Sequence, residues 1–581
     1  MTPSSATAPT WAPVLAAALA EALPRLHGAA DDPLIGELIG ALSDALARGE
    51  LELDLAGPAP EAIHSEGWPD AHRRSLVQSP LAAEPEGPLV LVGGQRLLWR
   101  LWQQQRQRVL THLVARAQTT PASKQPAAAP ASSSLKSPPR APATPAEPRS
   151  TLDGRQQQAV QAVGGHGLVL LEGGPGTGKT STVAAMIAGA QAVAPELRIH
   201  LAAPTGKAAA RLRGATGGQL PCTTLHRLLE SRGGHFARDR RRPLELDLLV
   251  VDEVSMVDLA LMEALLDALP PACRLVLVGD PAQLPPIAPG AVLLALQEPH
   301  WRQQLAGAIV TLTTTYRNNG AIAAVATALR SGLGDGTTEG ASTLATVPAG
   351  GVAADADPIA PIRDQLAVLG PTDNLRWIEA RPPQLPQELI AALRLHQQQL
   401  RQLAQGCVPE DRDTQAALLA LRDGLLVLTP VRQGPWGLEA IHRSLLGEQL
   451  DRPPLDWPAG TPVLCTRNLP ELGLANGDVG ILIGSAADPG QRRIVFGSPG
   501  LEIAPIHPAQ LAGAAEPALA LTVHKAQGSE ARQLIVLLPP GRTDHRLLYT
   551  ALTRAREQAL LITSPLPQKT TGERGEARSS R

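Results

Sequence analysis

The chain has 581 residues, 52 Lys+Arg against 54 Asp+Glu, and a formal net charge of −2. That length predicts three or four folding units, and the neutral balance excludes a globally basic nucleic-acid coat while leaving room for a local basic channel. Four scattered cysteines without a CxxC pair, and apolar runs too short to span a bilayer, predict a cytoplasmic protein with no disulfide framework, zinc cluster, membrane helix or secretory leader.

In chain order, Asp31-Asp32-Pro33 predicts a helix start: aspartate caps free amides and proline suits the first turn. Leu34, Leu38, Ile39, Leu42 and Leu46 then follow helical spacing, and Leu51, Leu53 and Leu55 alternate like a strand. Leu89 to Trp102, LVLVGGQRLLWRLW, predicts a buried strand, a Gly-Gly turn and an amphipathic helix. Residues 1–116 are thus expected to form a mainly helical N-terminal unit. It contains no phosphate loop, metal constellation or nucleophile, but it carries Trp68, Trp99 and Trp102. Large aromatics are enriched in interface cores, so a partner-docking face and an ordinary core are both open readings.

Residues 117–150 hold eight prolines and one large aliphatic residue, Leu135. Such a segment cannot bury enough surface to offset its ordering entropy and reads as a disordered tether. A tether there would let the first unit hold a partner while the rest moves independently. Gly332 to Pro358 reads as a surface loop, and 567–581 as a disordered tail.

The chemistry begins at LVLLEGGPGTGKT. Leu168 to Leu171 is a short strand, Gly173 to Thr180 fits G-x-x-x-x-G-K-[ST], and a helical stretch comes next. Gly173, Gly174, Pro175, Gly176, Thr177 and Gly178 let backbone amides wrap phosphates, Lys179 reaches the β/γ-phosphates and Thr180 reaches Mg²⁺. A second strand, Leu248 to Val251, ends in Asp252-Glu253: the aspartate can hold Mg²⁺ and the glutamate can polarise an attacking water. A third, Leu275 to Val278, runs into GDPAQLPP, where Gln283 is an uncharged donor suited to sensing the γ-phosphate. Three strand-then-motif units in order predict a RecA-like α/β core with ligands at the strands' carboxyl ends. Arginine outnumbers lysine 46 to 6, yet Lys179, Lys207 and Lys525 each fall in a motif-like string.

DEVSMVD and GDPAQLPP resemble motifs of superfamily 1 helicases. Gln156 matches the adenine-reading glutamine of that family. APTGKAAARL (203–212) and TTLHRLL (223–229) resemble its early DNA-contacting motifs. TYRNN sets Arg317 where the family has a γ-phosphate arginine. TVHKAQGSE (522–530) and YTALTRAR (549–556) resemble the last motifs, with Gly528 and Glu530 at the nucleotide and Arg554 as a second arginine. Thr205, Lys207, Thr224, His226, Thr522, His524 and Lys525 lie in segments that line the strand groove in the family.

APTGKAAARL with TVHKAQGSE, PVRQGPWG (430–437) and the helix before the phosphate loop are similar to the RecD-type 5′→3′ branch, the α subunits of exodeoxyribonuclease V. The resemblance implies ATP and Mg²⁺ as cofactors, and RecB-like and RecC-like subunits and single- and double-stranded DNA ends as partners. It implies two RecA-like motor domains with parallel sheets (151–309 and 310–566), the second carrying a small SH3-like β-barrel insert at about 460–507. No nuclease cluster accompanies the motor motifs. A stand-alone RecD-like or conjugative-type helicase and an ATP-switched scaffold subunit are the alternatives.

Overall fold

The computed structural model describes residues 11–120, 152–232, 234–316, 320–333, 359–485, 488–498, 501–502, 505–540 and 544–565. Most of the expected tether, most of the 332–358 loop and the 567–581 tail lie outside these residues, as does Arg317.

The helix Pro33–Ala47 begins as its sequence requires, with proline in the first turn and Asp32 accepting from the Leu34 amide at 2.9 Å. LVLV and RLLW are two strands of a hairpin, not strand and helix: Leu89–Val92 pairs antiparallel with Arg96–Trp99, Leu89 opposite Trp99. Gly93 and Gly94, in the three-residue loop 93–95 between the paired Val92 and Arg96, both take positive φ, 60° and 71°, which glycine adopts without strain. Glu52–Asp54 adds the third strand on the other side of Arg96–Trp99. The amphipathic helix starts only at Arg100 and runs to Gln118.

That helix fastens the N-terminal unit to the first motor sheet. Val109, Leu110, Leu113, Val114 and Ala117 are buried in one core with Leu261, Leu265, Leu266 and Leu269. The buried Arg116 guanidinium donates to the carbonyls of Cys273, Leu269 and Pro270, at 2.6, 3.1 and 2.8 Å. Gln105, in the Gln103 to Gln105 run, donates to Glu263 at 2.7 Å. The expected independence of the first unit is therefore corrected: it shares a core with the first motor sheet. Its tryptophans pack inward too, Trp99 buried in the unit's own core and Trp68 and Trp102 against it.

The first motor sheet has six strands, all parallel, in the spatial order Ile309–Leu312, Leu168–Gly173, Arg274–Gly279, Leu248–Val251, Ile199–Ala203, Cys222–Thr224. Its central strands are buried along their whole length, as continuous Leu/Val runs should be in a sheet covered on both faces. The second sheet has five parallel strands, in the order Leu375–Glu379, Ala555–Thr563, Ala531–Leu538, Leu425–Thr429, Leu521–Thr522. Between Leu425–Thr429 and Leu521–Thr522 the chain inserts an antiparallel five-stranded sheet with its own core of Val463, Leu482, Ile494, Phe496 and Leu511. One of its edge strands, Ala515–Pro517, lies past the expected end of the insert. Among the described residues no helix is long and apolar enough to cross a membrane.

Candidate active site and DNA groove

The strand Leu168–Gly173 delivers the chain into the phosphate loop, and the helix Lys179–Val193 carries it away. Gly176 and Gly178 hold φ of 73° and 81°. A Cβ built on Gly178 would sit 2.7 Å from Nε2 of Gln156, so glycine is needed there both for backbone angle and for space. Gln156 is fixed by a capping box: its backbone amide donates to Asp153, and its side-chain oxygen accepts from the Asp153 amide at 3.0 Å. Tyr316 closes the same corner, its amide donating to the Gly176 carbonyl at 2.8 Å and its hydroxyl to Asp153 at 2.7 Å.

Lys179 Nζ folds back on the loop and donates to the carbonyls of Gly173 and Gly174, at 2.7 and 2.9 Å. Burial holds this ammonium below its ordinary value, against the pull of Asp280, Glu253 and Asp252. Thr177 ties the loop internally through Gly174, 2.8 Å away, and Thr180 is the second residue of the helix.

Asp252 is buried at the end of Leu248–Val251, and its Oδ1 accepts the Glu253 amide at 2.9 Å. Burial, with the Glu253 carboxylate beside it, raises Asp252 above the usual carboxylate range. For Glu253 burial pulls the same way, but the cations Arg211, Arg554 and Lys179 outweigh it and hold the group low. Glu253 stands at φ 54°, a left-handed conformation costly for a non-glycine residue.

The second sheet reaches this cleft through the helix His545–Leu552 and the residues after it. Buried Arg554 donates to Gln283 Oε1 at 2.8 Å, and the amide of Gln283 faces Asp280 at 3.4 Å. Tyr549 donates its hydroxyl to Asp280 at 2.7 Å.

Gly528 and Glu530 sit against the helix Gly206–Ala215. A Cβ on Gly528 would lie 3.4 Å from Oγ1 of Thr205, and Glu530 accepts from Arg211 at 2.8 Å.

The expected DNA residues fall on the carboxyl edges of both sheets. Thr205 and Thr224 each cap the next short helix, accepting from the amides of Ala208 and Arg227. Their strands are neighbours, with Ala203 paired to Thr224. His226 is exposed and leans on the Phe236 ring at 6.0 Å. Thr522 caps the turn holding Lys525 at 3.3 Å, and burial holds His524 below its usual value.

The two groove lysines meet the inserted sheet. Lys525 donates to Asn476 at 2.5 Å, while Lys207 faces Asp423 at 3.9 Å with Asp478 against neighbouring Gly206. Burial pushes Lys207 down to about 8, partly offset by Asp423.

Sequence reasoning missed Arg211, Asp280 and Tyr549 as members of the site, and Asn476 and Asp478 as partners of the lysines. A local signal existed for Arg211, which lies one helical turn after Lys207 and so shares its face.

The donor set suits a magnesium nucleotide: Thr180 and Asp252 offer hard oxygen ligands beside a glycine loop with a lysine at its mouth. Two parallel α/β sheets meeting over one phosphate loop, with an arginine of the second buried against the first, define a two-domain P-loop motor.

Residues 156–289 match the family model of an AAA domain, and residues 517–562 that of a UvrD-like helicase C-terminal domain. The RecBCD enzyme subunit RecD of Mycolicibacterium smegmatis is 33% identical, over 96% of this chain and 94% of its own. The ATP-dependent RecD2 DNA helicase of Deinococcus radiodurans is 30% identical over 72% of this chain and 50% of its own. A Bacteroides Pif1 helicase solved with ADP-AlF3 and single-stranded DNA is 17% identical, with a TM-score of 0.38, over 72% of this chain and 93% of its own. The chain belongs to the RecD family of ATP-dependent DNA helicases.

Proposed function

We propose that this chain is the 5′→3′ helicase subunit of a RecBCD-type complex, working on DNA ends in double-strand-break repair beside RecB-like and RecC-like subunits. The observation that carries the motor reading is the convergence of Lys179, Asp252, Glu253, Gln283 and Arg554, from both sheets, on one cleft. The subunit reading is supported by RecD relatives that align along nearly the whole chain. It divides the chain into an N-terminal unit (1–116), a linker (117–150), motor domains 151–309 and 310–566 with an insert at about 460–507, and a tail.

When nucleotide enters, Lys179 Nζ exchanges two carbonyl acceptors for phosphate oxygens, and the loop amides wrap the remaining charge. Thr180 and Asp252 would hold the magnesium ion, which neutralises phosphate charge when bound. Gln156, with Tyr316 closing its corner, receives the base. Glu253 polarises the water. Gln283 senses the γ-phosphate, and Arg554, with Arg317, stabilises charge on the transferring group. The groove of Thr205, Lys207, Thr224, His226, Thr522, His524 and Lys525 takes one DNA strand through its phosphates, exchanging Asp423 and Asn476 for them.

Steady-state ATPase tests the motor: Lys179→Ala should weaken nucleotide binding, while Glu253→Gln should bind ATP and turn over poorly. DNA-stimulated turnover near wild type in both would refute the site. A partial duplex with a 5′ tail should be unwound and a 3′-tailed one left intact; the reverse preference refutes the polarity. The second reading, a stand-alone helicase, is favoured by the 30% identity to RecD2. Co-purification with RecB-like and RecC-like subunits separates the two.

A further inference from the structure

Arg211 occupies a place that neither phosphate binding nor the strand groove accounts for. It projects from the helix Gly206–Ala215, and its two terminal nitrogens face different carboxylates. Nη2 donates to Oε1 of Glu253 at 2.7 Å, and Nη1 donates to Oε1 of Glu530 at 2.8 Å. The second oxygen of Glu530 accepts Nε of Arg556 at 3.0 Å. Side-chain exposure is only 9% at Glu253 and 11% at Glu530, so both carboxylates are largely withdrawn from water. Charge-assisted bonds in such surroundings are among the stronger ones a side chain makes.

The two carboxylates belong to different halves of the motor. Glu253 lies just past the strand Leu248–Val251 of the first sheet; Glu530 immediately precedes Ala531–Leu538 of the second. The backbone of Glu253 is held in a left-handed conformation, so its side chain leaves the strand end in an unusual direction. Arg211 is the donor that meets the carboxylate there.

We propose that Arg211 is a positioning residue for ATP hydrolysis: its guanidinium aims the Glu253 carboxylate and, by sharing itself with Glu530, ties that aim to the position of the second motor sheet. The inference rests on the reading of Glu253 as the water-polarising group. A planar fork can hold two carboxylates in fixed directions, whereas an ammonium is a point donor on a flexible stem. Movement of the second sheet carries Glu530 with it, and the guanidinium either moves along or settles on Glu253 alone. Either response changes where the Glu253 oxygens lie in the cleft. DNA that shifts the two sheets thereby acts on hydrolysis through one side chain.

The test is steady-state ATPase of the full chain, with and without single-stranded DNA, alongside binding of a fluorescent ATP analogue. Arg211→Met should lower the DNA-stimulated kcat at least tenfold while leaving KM for ATP and analogue affinity within twofold. Arg211→Lys, which keeps the charge and loses the fork, should fall between it and wild type; it carries the test alone should the methionine variant not fold. Combining Arg211→Met with Glu530→Gln should cost less kcat than the product of the two single losses, since both remove the Arg211–Glu530 contact while only Glu530→Gln also weakens the one to Arg556. Wild-type kcat in Arg211→Met or Arg211→Lys, a loss confined to KM, or multiplicative losses in the double variant would each overturn the proposal. Glu253→Gln is the control for the underlying reading. Its full turnover would remove that reading, whereas its inactivity beside an unaffected Arg211→Met would remove only the role of Arg211.

Discussion

Replacing Arg302 by methionine isolates the support beneath the phosphate loop. Glu172, the residue before Gly173, is buried with a side-chain exposure of 2%. Its carboxylate accepts from Arg302 Nη1 at 3.0 and 3.3 Å, from Gln297 at 2.6 Å and from Thr311 at 3.4 Å. Methionine fills similar volume but leaves the charge with two neutral donors. Breaking a buried pair by removing one partner typically costs about 3–5 kcal/mol. Here the two remaining hydrogen bonds persist and Arg302 itself is 23% exposed, which points to the lower end. We therefore expect a loss of about 3 kcal/mol, concentrated on the strand that carries the loop. A chain of several units has no single unfolding free energy, so the assay is amide hydrogen exchange of Leu168–Gly173. Exchange there should quicken by about 150-fold where opening is local. Glu172→Gln added to Arg302→Met should restore most of the protection, because the stranded charge is then gone. Wild-type exchange in the single variant, or no recovery in the double, would refute the reasoning.

Gly178→Ala should raise KM for ATP at least tenfold, from a φ of 81° and a Cβ 2.7 Å from Gln156; unchanged ATP affinity would contradict it. Lys207, held at about 8, is charged below that pH and neutral above it. Single-stranded DNA affinity should thus fall up to about fivefold between pH 8 and 9, a loss that Lys207→Arg should remove in fluorescence anisotropy titrations. Tyr549→Phe deletes a buried donor to Asp280 and should cost about 1.5–3 kcal/mol in the hold on that segment, read as a lower DNA-stimulated kcat.

The phosphate loop was legible because its chemistry is local: a strand, a glycine turn and a helix within about twenty residues must be contiguous to work. The same holds for Asp252-Glu253 and for the capped start at Asp32. The hairpin at Gly93-Gly94 was within reach too, since paired glycines between apolar runs are the hairpin signal, but RLLWRLW also fits a helical period. What could not be read were contacts between residues far apart in the chain. Asp280 and Tyr549 are separated by 269 positions, and Arg211 and Glu530 by 319. Neither pair has a local pattern; each exists only because two sheets close on one another. The tryptophans of the first unit left a docking face and an ordinary core both open; Trp99 is buried in the unit's core, and Trp68 and Trp102 pack half-buried against it.

GDPAQLPP is continuous with the first sheet in sequence, and its Gly279 still pairs there with Glu172, yet from Asp280 to Leu284 it is held by side chains of the second half. Tyr549 holds Asp280, Arg546 holds the Pro281 carbonyl, Arg554 holds Gln283, and Thr550 and Gln527 hold the amide and carbonyl of Leu284. The side chains of Ala282 and Leu284 are buried in the second sheet's own core. Parting these groups would cost on the order of 5–8 kcal/mol, from five hydrogen bonds and one buried leucine. A cleft that opens and closes in each catalytic cycle is better served by moving the segment with the second sheet. On the roles proposed for them, Gln283 and Arg554 would then approach or leave the nucleotide together, so that sensing the γ-phosphate and closing the motor would be one displacement. The N-terminal unit sits on the opposite side of that division. Its helix Arg100–Gln118 is bonded to the first sheet through Arg116 and Glu263. A partner held by that unit would therefore be fixed to the half of the motor that carries Lys179, and the second half would step against it.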